Sequence, residues 1–534
     1  MAGKGKYILK IFGWFSLTIL VLLIGFGVFV YFQAQSYVNE NLSRIVTEKS
    51  NNLYKLSYNK IELEFTNYSI SISDILLEPN EDISNRILEK LPGNTFYSFQ
   101  SPEIKINEID VVLLLKERTF FCKNITVEKP ELELSGGEII KNDPGRAFDK
   151  IFPELRPVFN KYVKEIVIDE INFVDANYGL YNTVGDSIQI SNAEQISVGI
   201  KNFRTDSSMI FSNDQLFKTE DIFIRMKDFQ NDLGDSLHMV RIDELEYSLK
   251  TSDINATGFY LAHRFKNPER SLYDVYVPRL YMKSQSVTRF SFSDSLNVQF
   301  LEFEKPQIKF FQKENPKQFK IEDIDKFDLY KLVENQFPNI EIDSFYLTGA
   351  NLEIYRQPDF EKYQQRFESI NITLNGFALD SSSSQNTEKL FHADNLEMTV
   401  AGYQLRLEDN QHDFKADSMF ISTFSNSLGV KEITILPSGS EKINTRTSVN
   451  IECKALNIEN VDLKTVFHTR ALPTQRIEIA GPNVHLQYNT EITKPRQQKE
   501  AGLLFEQVSA YLKGVYSELV VIENGVLNIQ NLNR

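Results

Sequence analysis

Apolar and polar residues alternate along most of the chain after residue 50. The first examples are Leu56–Tyr58, Ile61–Leu63 and Ile70–Ile72. Because successive side chains of a strand point to opposite faces, this period of two predicts strands with one buried face. Asn67 marks the turn between two of these strands. The same alternation recurs towards the end of the sequence, so the pattern predicts a mainly β protein.

Three copies of one block show that the strands belong to a repeat. With φ for an apolar residue, the block φxφxxPxφxφ lies at Ile125–Leu134, Leu301–Phe310 and Ile477–Leu486, which are equally spaced along the chain. Two further blocks recur with nearly the same offset: Ile166–Leu180 with Ile340–Ile354, and Ile196–Ser208 with Ile370–Ser382. Separated blocks that keep one offset predict a tandem array. The predicted divisions are an N-terminal part at 33–102, repeat units at 103–274 and 275–448, and a partial third unit at 449–534.

Between its first and second blocks, each unit carries a stretch whose apolar residues have helical spacing. These stretches lie at 148–162, 327–337 and 504–515. Pro153 and Pro157 break or kink the first of them. Such short amphipathic helices either pack on the sheet or serve as a gate or partner contact, and the sequence leaves both interpretations open.

The segment from Ile11 to Phe32 is a long apolar run without a charge. As a helix it would be about 33 Å long, enough to span the hydrocarbon core of a bilayer. Residues 1–10 carry three lysines and no acid, so the positive-inside rule places this tail in the cytoplasm and the rest of the chain outside it. A cleaved signal peptide is the alternative, but the run exceeds a usual signal core and is followed by a poor cleavage site. Residues 36–52 then predict a short amphipathic helix.

Charge and composition narrow the function. The chain has 73 acidic and 58 basic residues, a net charge of −15, and no basic footprint for a nucleic acid. Its mean hydropathy of −0.30 excludes a polytopic membrane protein. Two cysteines in 534 residues exclude a disulfide scaffold. Cys122 and Cys453 either pair in an oxidising compartment or remain buried thiols.

No motif in the sequence predicts catalysis. The six histidines fall at no metal-ligand spacing, and no HExxH, CxxC, GxSxG, Walker A or Rossmann glycine pattern is present. Repeated acids such as Asp169 and Asp343 would share one environment, whereas two catalytic carboxylates need different ones. We therefore expect a protein that is not an enzyme and that holds no metal and no cofactor.

A long sheet of alternating strands has one apolar face that needs a cover. One modest helix per repeat is too small to cover it. The sheet therefore either folds onto itself as closed sandwiches or curls into a trough that holds an apolar ligand such as an acyl chain, and periodicity does not decide between the two. In a trough, the candidate lipid-contacting residues flank the block prolines: Val127, Leu132, Phe303, Ile308, Ile479 and Val484.

The first strands resemble those of a known family. Tyr54–Leu63 reads Tyr-x-Leu-x-Tyr-x-x-Ile-x-Leu, and Ser69–Pro79 reads Ser-Ile-Ser-Ile-x-Asp-Ile-x-Leu-x-Pro. Together with the preceding apolar run and the later blocks, they resemble the start of AsmA-like envelope proteins, relatives of the TamB and YhdP type proteins.

This resemblance implies a single-pass inner-membrane anchor with a cytoplasmic N terminus. An elongated, curved groove of repeating β-sheet units with a few short amphipathic helices would follow in the periplasm. The implied function is to hold or conduct phospholipid between envelope membranes, without catalytic residues and with envelope proteins as further partners. One alternative is a scaffold for envelope and outer-membrane assembly whose open sheet edges receive partner strands. Another is an array of closed sandwiches without a ligand.

Overall fold

The computed structural model describes residues 43–44, 46–48, 50–64, 66–90, 95–136, 163–182, 188–206, 217–232, 238–264, 271–284, 295–312, 339–356, 359–382, 389–406, 412–437, 447–488 and 513–531. The predicted tail and anchor at 1–32 and the predicted helical stretches at 148–162 and 327–337 lie outside these residues. Within the described ranges, no helix has the length and hydropathy needed to cross a bilayer.

The chain forms two compact units. Of the described residues, those within 1–258 and 283–293 belong to the first unit, and those within 259–282 and 294–534 belong to the second. These bounds differ from the predicted repeat units, whose boundaries describe sequence repetition and stay predictions.

The first unit begins with residues of the predicted helix at 36–52, which is helical at 43–44 and 46–48. Its strands are β1 (Tyr54–Ser57), β2 (Lys60–Glu64), β3 (Ser69–Pro79), β4 (Thr95–Ile109), β5 (Thr119–Glu128), β6 (Glu131–Gly136), β7 (Glu165–Asn182), β8 (Ile188–Asp206), β9 (Asp221–Asp232) and β10 (His238–Ser248). Helix α1 (Glu81–Lys90) follows β3, and helix α2 (Val111–Glu117) follows β4. Strand β11 (Asp253–His263) crosses the boundary between the units.

These strands form a mixed sheet. Strands β1 and β2 lie end to end along β3, and β3 is antiparallel to β4. Strands β5 and β6 also lie end to end, antiparallel to β4 on one side and parallel to β7 on the other. Strands β8, β9 and β10 follow in antiparallel order. A parallel pair needs a long crossover, and the chain between the end of β6 at Gly136 and the start of β7 at Glu165 is long enough to provide it.

The second unit repeats this arrangement. Its strands are β12 (Leu272–Lys283), β13 (Ser295–Glu304), β14 (Gln307–Gln312), β15 (Asn339–Arg356), β16 (Asp359–Leu379), β17 (Asn395–Arg406), β18 (His412–Ser422), β19 (Ser427–Pro437), β20 (Thr447–Glu459), β21 (Ala471–Ala480), β22 (Asn483–Tyr488), β23 (Gly514–Glu523) and β24 (Val526–Asn531). Helix α3 (Leu463–Thr469) precedes β21. The end-to-end pair β13 and β14 is parallel to β15, and the pair β21 and β22 is parallel to β23 and β24. Antiparallel pairing joins β15 through β20 in chain order.

The block proline separates the two strands of each end-to-end pair. Proline has no N–H for the ladder, and the residue before it adopts a positive φ: 41° at Lys129, 49° at Lys305 and 59° at Gly481. The amide of each of these residues donates to a carbonyl of the neighbouring parallel strand, at 2.7–2.8 Å. The same break therefore occurs three times, once in each copy of the block.

Irregularities in the long strands also recur. Strand β7 shifts register between Phe173 and Ala176, and β15 does so at the equivalent place, between Leu347 and Ala350. The side-chain Oδ1 atoms of Asn177 and Asn351 then accept from the amides of residues 195 and 369, at 3.3 and 3.2 Å. These matching bulges confirm the prediction of repeating strands.

The short helices α2 and α3 are equivalent, although their sequences are unlike. Asp110 and Asp462 cap their N termini, since each carboxylate accepts from the amide three positions later, at 2.8 and 3.1 Å. Arg118 and Arg470 end them in the left-handed conformation, with φ of 59° and 60°. The blocks do not predict these helices.

One predicted element is wrong in part. The helical spacing predicts that the third stretch extends to Val515, but Val515 lies in β23 beside Leu472 of β21. The apolar spacing of three and four runs into a strand because Val515 also fits the alternation that begins there. The prediction of a mainly β protein is confirmed.

Candidate functional site

An apolar row crosses the sheet of the first unit. Register places these residues of β3 to β10 side by side on one face: Ile72, Ile104, Val127, Phe173, Val198, Ile224 and Tyr247. Each is 6% exposed or less. This face is therefore sealed from solvent along the whole row.

The matching face of the second unit is built in the same way but is more open. Its row crosses β13 to β23 and contains Phe303, Leu347, Ile372, Met398, Ile421, Leu428, Ile458, Ile477 and Val520. The first six are half-buried, the next two are buried, and Val520 is 54% exposed. This uninterrupted apolar row, the wall of the second unit, is partly accessible in its first six members. Leu347, Ile372 and Met398 pack on one side against the buried cluster of Ala350, Ile370 and Val400.

The structure places the six candidate lipid-contacting residues in three pairs, one at each proline break. Val127 and Leu132 are sealed, with Ile104 and Phe99 of β4 on one side and Phe173 and Tyr178 of β7 on the other.

The other two pairs lie in the second unit and are half-buried. Phe303 and Ile308 stand beside Leu347 and Leu352 of β15, and the ring of Phe303 meets Phe345 edge-on, with 5.7 Å between centroids.

Ile479 and Val484 complete the set. Ile479 lies between Leu456 and Ile522, and Val484 lies between Ile451 and Leu527. Within the second unit, both pairs thus belong to the open apolar wall, whereas the pair in the first unit is core.

Within the described ranges, no three His, Cys, Asp or Glu side chains lie close enough together to hold a metal ion. Cys122 and Cys453 are buried free thiols. Burial raises the pKa of Cys122, with a further rise from the nearby Asp169, and burial also raises the pKa of Cys453. Both thiols are therefore protonated and unreactive at neutral pH.

A cleft of about 720 Å³ lies in the second unit, beside the start of helix α3. Three of the four charged residues that line it, Lys389, Asp394 and Asp462, already have partners. The Lys389 ammonium lies 2.7 Å from an Asp394 carboxylate oxygen, and Asp462 accepts from Thr465 as the helix cap. The cleft is therefore a junction between loop and helix, and these groups are committed to structure rather than to a ligand.

A second feature of the wall is its last strand pair, which sequence analysis does not single out as a site. Eight of the sixteen exposed large apolar side chains within the described ranges lie in β23 and β24: Val515, Tyr516, Leu519, Val520, Ile522, Val526, Leu527 and Ile529. These strands pair with β21 and β22 on one side, and no described strand runs along their other edge. The signal in the sequence is a further copy of the second block at Val521–Ile529.

Comparison with known proteins adds little. No model of a known protein family matches the chain, and no curated protein matches it. The crystal structure of the sex pheromone staph-cAM373 precursor is 9% identical over 62% of this chain and 87% of that chain, with a TM-score of 0.13. A sex pheromone precursor from Lactobacillus salivarius subsp. salivarius UCC118 is 8% identical over 54% of this chain and 67% of that chain, with a TM-score of 0.10. Likenesses this remote carry no argument about fold or function.

Proposed function

We propose that this chain is a membrane-anchored envelope protein of the AsmA-like type that holds or conducts phospholipid along the apolar wall of its second unit. The proposal places the N terminus in the cytoplasm, the anchor at 11–32 in the inner membrane, and the sheet units in the periplasm. Acyl chains would lie against the wall and headgroups in water, so the function involves no catalysis, metal or cofactor.

The observation that carries the proposal is the difference between two equivalent apolar rows. In the first unit the row is core, as in an ordinary closed fold. In the second unit, six consecutive members from Phe303 to Leu428 remain half-buried. Because soluble proteins rarely expose large contiguous apolar patches, such a wall indicates a binding surface.

The test measures phospholipid that co-purifies with the full chain. Met398 and Thr399 are neighbours in β17 on opposite faces, with Met398 half-buried in the wall and Thr399 exposed. Quantitative mass spectrometry of extracted lipid should show several phospholipids per wild-type chain. The Met398→Asn variant should carry fewer, and the matched Thr399→Asn variant should carry as many as the wild type.

Two results would contradict the proposal. A folded wild-type chain with no more lipid than an unrelated single-pass protein purified in the same detergent would remove its basis. Equal lipid loss in both variants would assign the bound lipid to another part of the molecule.

A second candidate function is a scaffold for envelope assembly through strand addition. It is favoured by the exposed apolar side chains of β23 and β24, beside which no further strand of the described ranges runs. It requires no lipid and is compatible with lipid binding elsewhere on the sheet.

A further inference from the structure

The apolar wall of the second unit is covered at β20 and β21. Its first six members are half-buried, but Ile458 of β20 and Ile477 of β21 are only 5% and 9% exposed. Leu463 of helix α3 and Leu390, which precedes β17, pack with them in one buried cluster, and Leu428 of β19 packs against this cluster. An acyl chain on the wall therefore cannot continue past β19 unless α3 is displaced.

The cleft beside helix α3, about 720 Å³ in volume, opens at this covered end of the wall. Leu390, Val461 and Leu463 line it and belong to the same buried cluster as Ile458 and Ile477. Apart from Ala393, the rest of its lining is polar: Lys389, Asp394, Thr423, Asn426, Asn460, Asp462 and Lys464. The cleft thus places polar groups directly beside the apolar wall. An amphiphile with its chains on the wall has its polar head at such a boundary.

Two side chains of the cleft have donors to offer a ligand. The Lys464 ammonium and the Asn426 amide are exposed, and within the described ranges neither makes a side-chain hydrogen bond or salt bridge. The backbone at Asn426 is held in place, because its carbonyl accepts from the amide of Val461 at 2.8 Å. An ammonium and an amide N–H both suit an anionic oxygen acceptor, and a phosphate group presents several such oxygens.

The accessible part of the wall is long enough for an acyl chain. From Phe303 to Leu428 it crosses β13, β15, β16, β17, β18 and β19, a width of about 24 Å at ~4.8 Å between strands. The hydrocarbon core of a bilayer is about 30 Å thick, so a chain in one leaflet spans about 15 Å. A lipid with its head in the cleft therefore has room for its chains along the wall.

We propose that the cleft holds the phosphate headgroup of one glycerophospholipid, with Lys464 and Asn426 donating to the phosphate and the acyl chains lying on the wall from Leu428 towards Phe303. This inference rests on the proposed lipid-holding function and adds a defined position for the head. It assigns the covered end of the wall to the head and the accessible part to the chains.

The test compares two lipids that differ only in the head, palmitoyl-oleoyl phosphatidylglycerol and palmitoyl-oleoyl glycerol. Native mass spectrometry of the full chain in detergent measures the affinity of the tightest site for each. Lys464→Gln and Asn426→Asp should each weaken binding of the phospholipid about tenfold and leave binding of the uncharged lipid unchanged. Lys431→Gln is the matched control, because Lys431 is exposed on the face of β19 opposite to Leu428, and it should bind both lipids as the wild type does.

The Met398→Asn variant separates this inference from the function on which it rests. It alters the wall and not the cleft, so it should weaken binding of both lipids. A wild-type chain that binds neither lipid would overturn the lipid-holding function and the headgroup site together. Unchanged phospholipid affinity in Lys464→Gln and Asn426→Asp, with Met398→Asn still weakening it, would overturn the headgroup site alone. Binding of inorganic phosphate with the same affinity as the phospholipid, lost in Lys464→Gln, would also overturn it, because the cleft would then be a site for the free ion.

Discussion

Val198 and Ile372 offer a direct test of whether the apolar faces of the two units differ in their exposure to solvent. They occupy the same place in the third block of two successive repeats. Val198 is 5% exposed between Phe173 and Ile224, whereas Ile372 is half-buried between Leu347 and Met398. We predict that replacing each residue by Asn destabilises its surroundings to different extents.

At Val198, the change removes the gain from a buried aliphatic side chain, about 1.5–3 kcal/mol. It also buries an amide without a partner, which adds about 1–3 kcal/mol. We expect a total loss of about 2.5–6 kcal/mol from the two effects together. At Ile372 solvent reaches the amide, so the second cost disappears and roughly half of the first remains, about 1–1.5 kcal/mol.

Hydrogen–deuterium exchange with mass spectrometry measures these losses of stability strand by strand. The opening free energy should fall by the larger amount in β7 to β9 for Val198→Asn, and by the smaller amount in β15 to β17 for Ile372→Asn. Thr373→Asn, beside Ile372 on the opposite face, is the control and should change exchange little. Losses that agree within about 1 kcal/mol at the two sites would refute the reasoning.

Three further predictions concern the caps, the breaks and the thiols. Asp462→Ala should cost about 1 kcal/mol of stability through loss of the helix cap. Hydrogen bonds from Thr465 lower the pKa of Asp462, so this stabilisation is fully present above the ordinary carboxyl pKa and is lost as pH falls through the lowered pKa. Thermal melts of variant and wild type should therefore converge in acid. Gly481→Ala should lower the free energy of unfolding in denaturant by about 1–2 kcal/mol, because φ is +59° at this residue. Lys305→Gly at the equivalent break is the control and should not lower it. An unchanged free energy of unfolding for Gly481→Ala would contradict the geometry. Cys122 is fully buried and has a raised pKa, so it should react with iodoacetamide at pH 8 only after unfolding. Peptide mapping locates the label. Rapid labelling of Cys122 in the native protein would show that this face of the first unit is open to solvent.

The strands and their repetition were predictable because they depend on local sequence. Alternation fixes which residues of a strand share a face, so Val127 and Leu132 could be assigned to the apolar side of the sheet from the block alone. The prolines at 130, 306 and 482 likewise mark the breaks, since they cannot donate to the ladder. The equivalence of α2 and α3 was not predictable from the blocks, because a cap and a left-handed end suffice to define these helices and leave their other residues free.

The candidate site was predictable only as a set of positions. The pattern gives Val127, Phe303 and Ile479 the same surroundings, yet Val127 is core while the other two are half-buried. Burial depends on what covers a face, which is a matter of contacts between distant segments.

Residue type and spacing along one strand are enough to establish the β class, the tandem repeat, the proline breaks and the membership of the apolar face. Contacts between distant segments are needed to establish that the face is sealed in the first unit and partly accessible in the second, and that the apolar side chains of β23 and β24 are exposed. Strand pairing and cover join residues far apart in the chain, and the period of two carries no information about which neighbour is present.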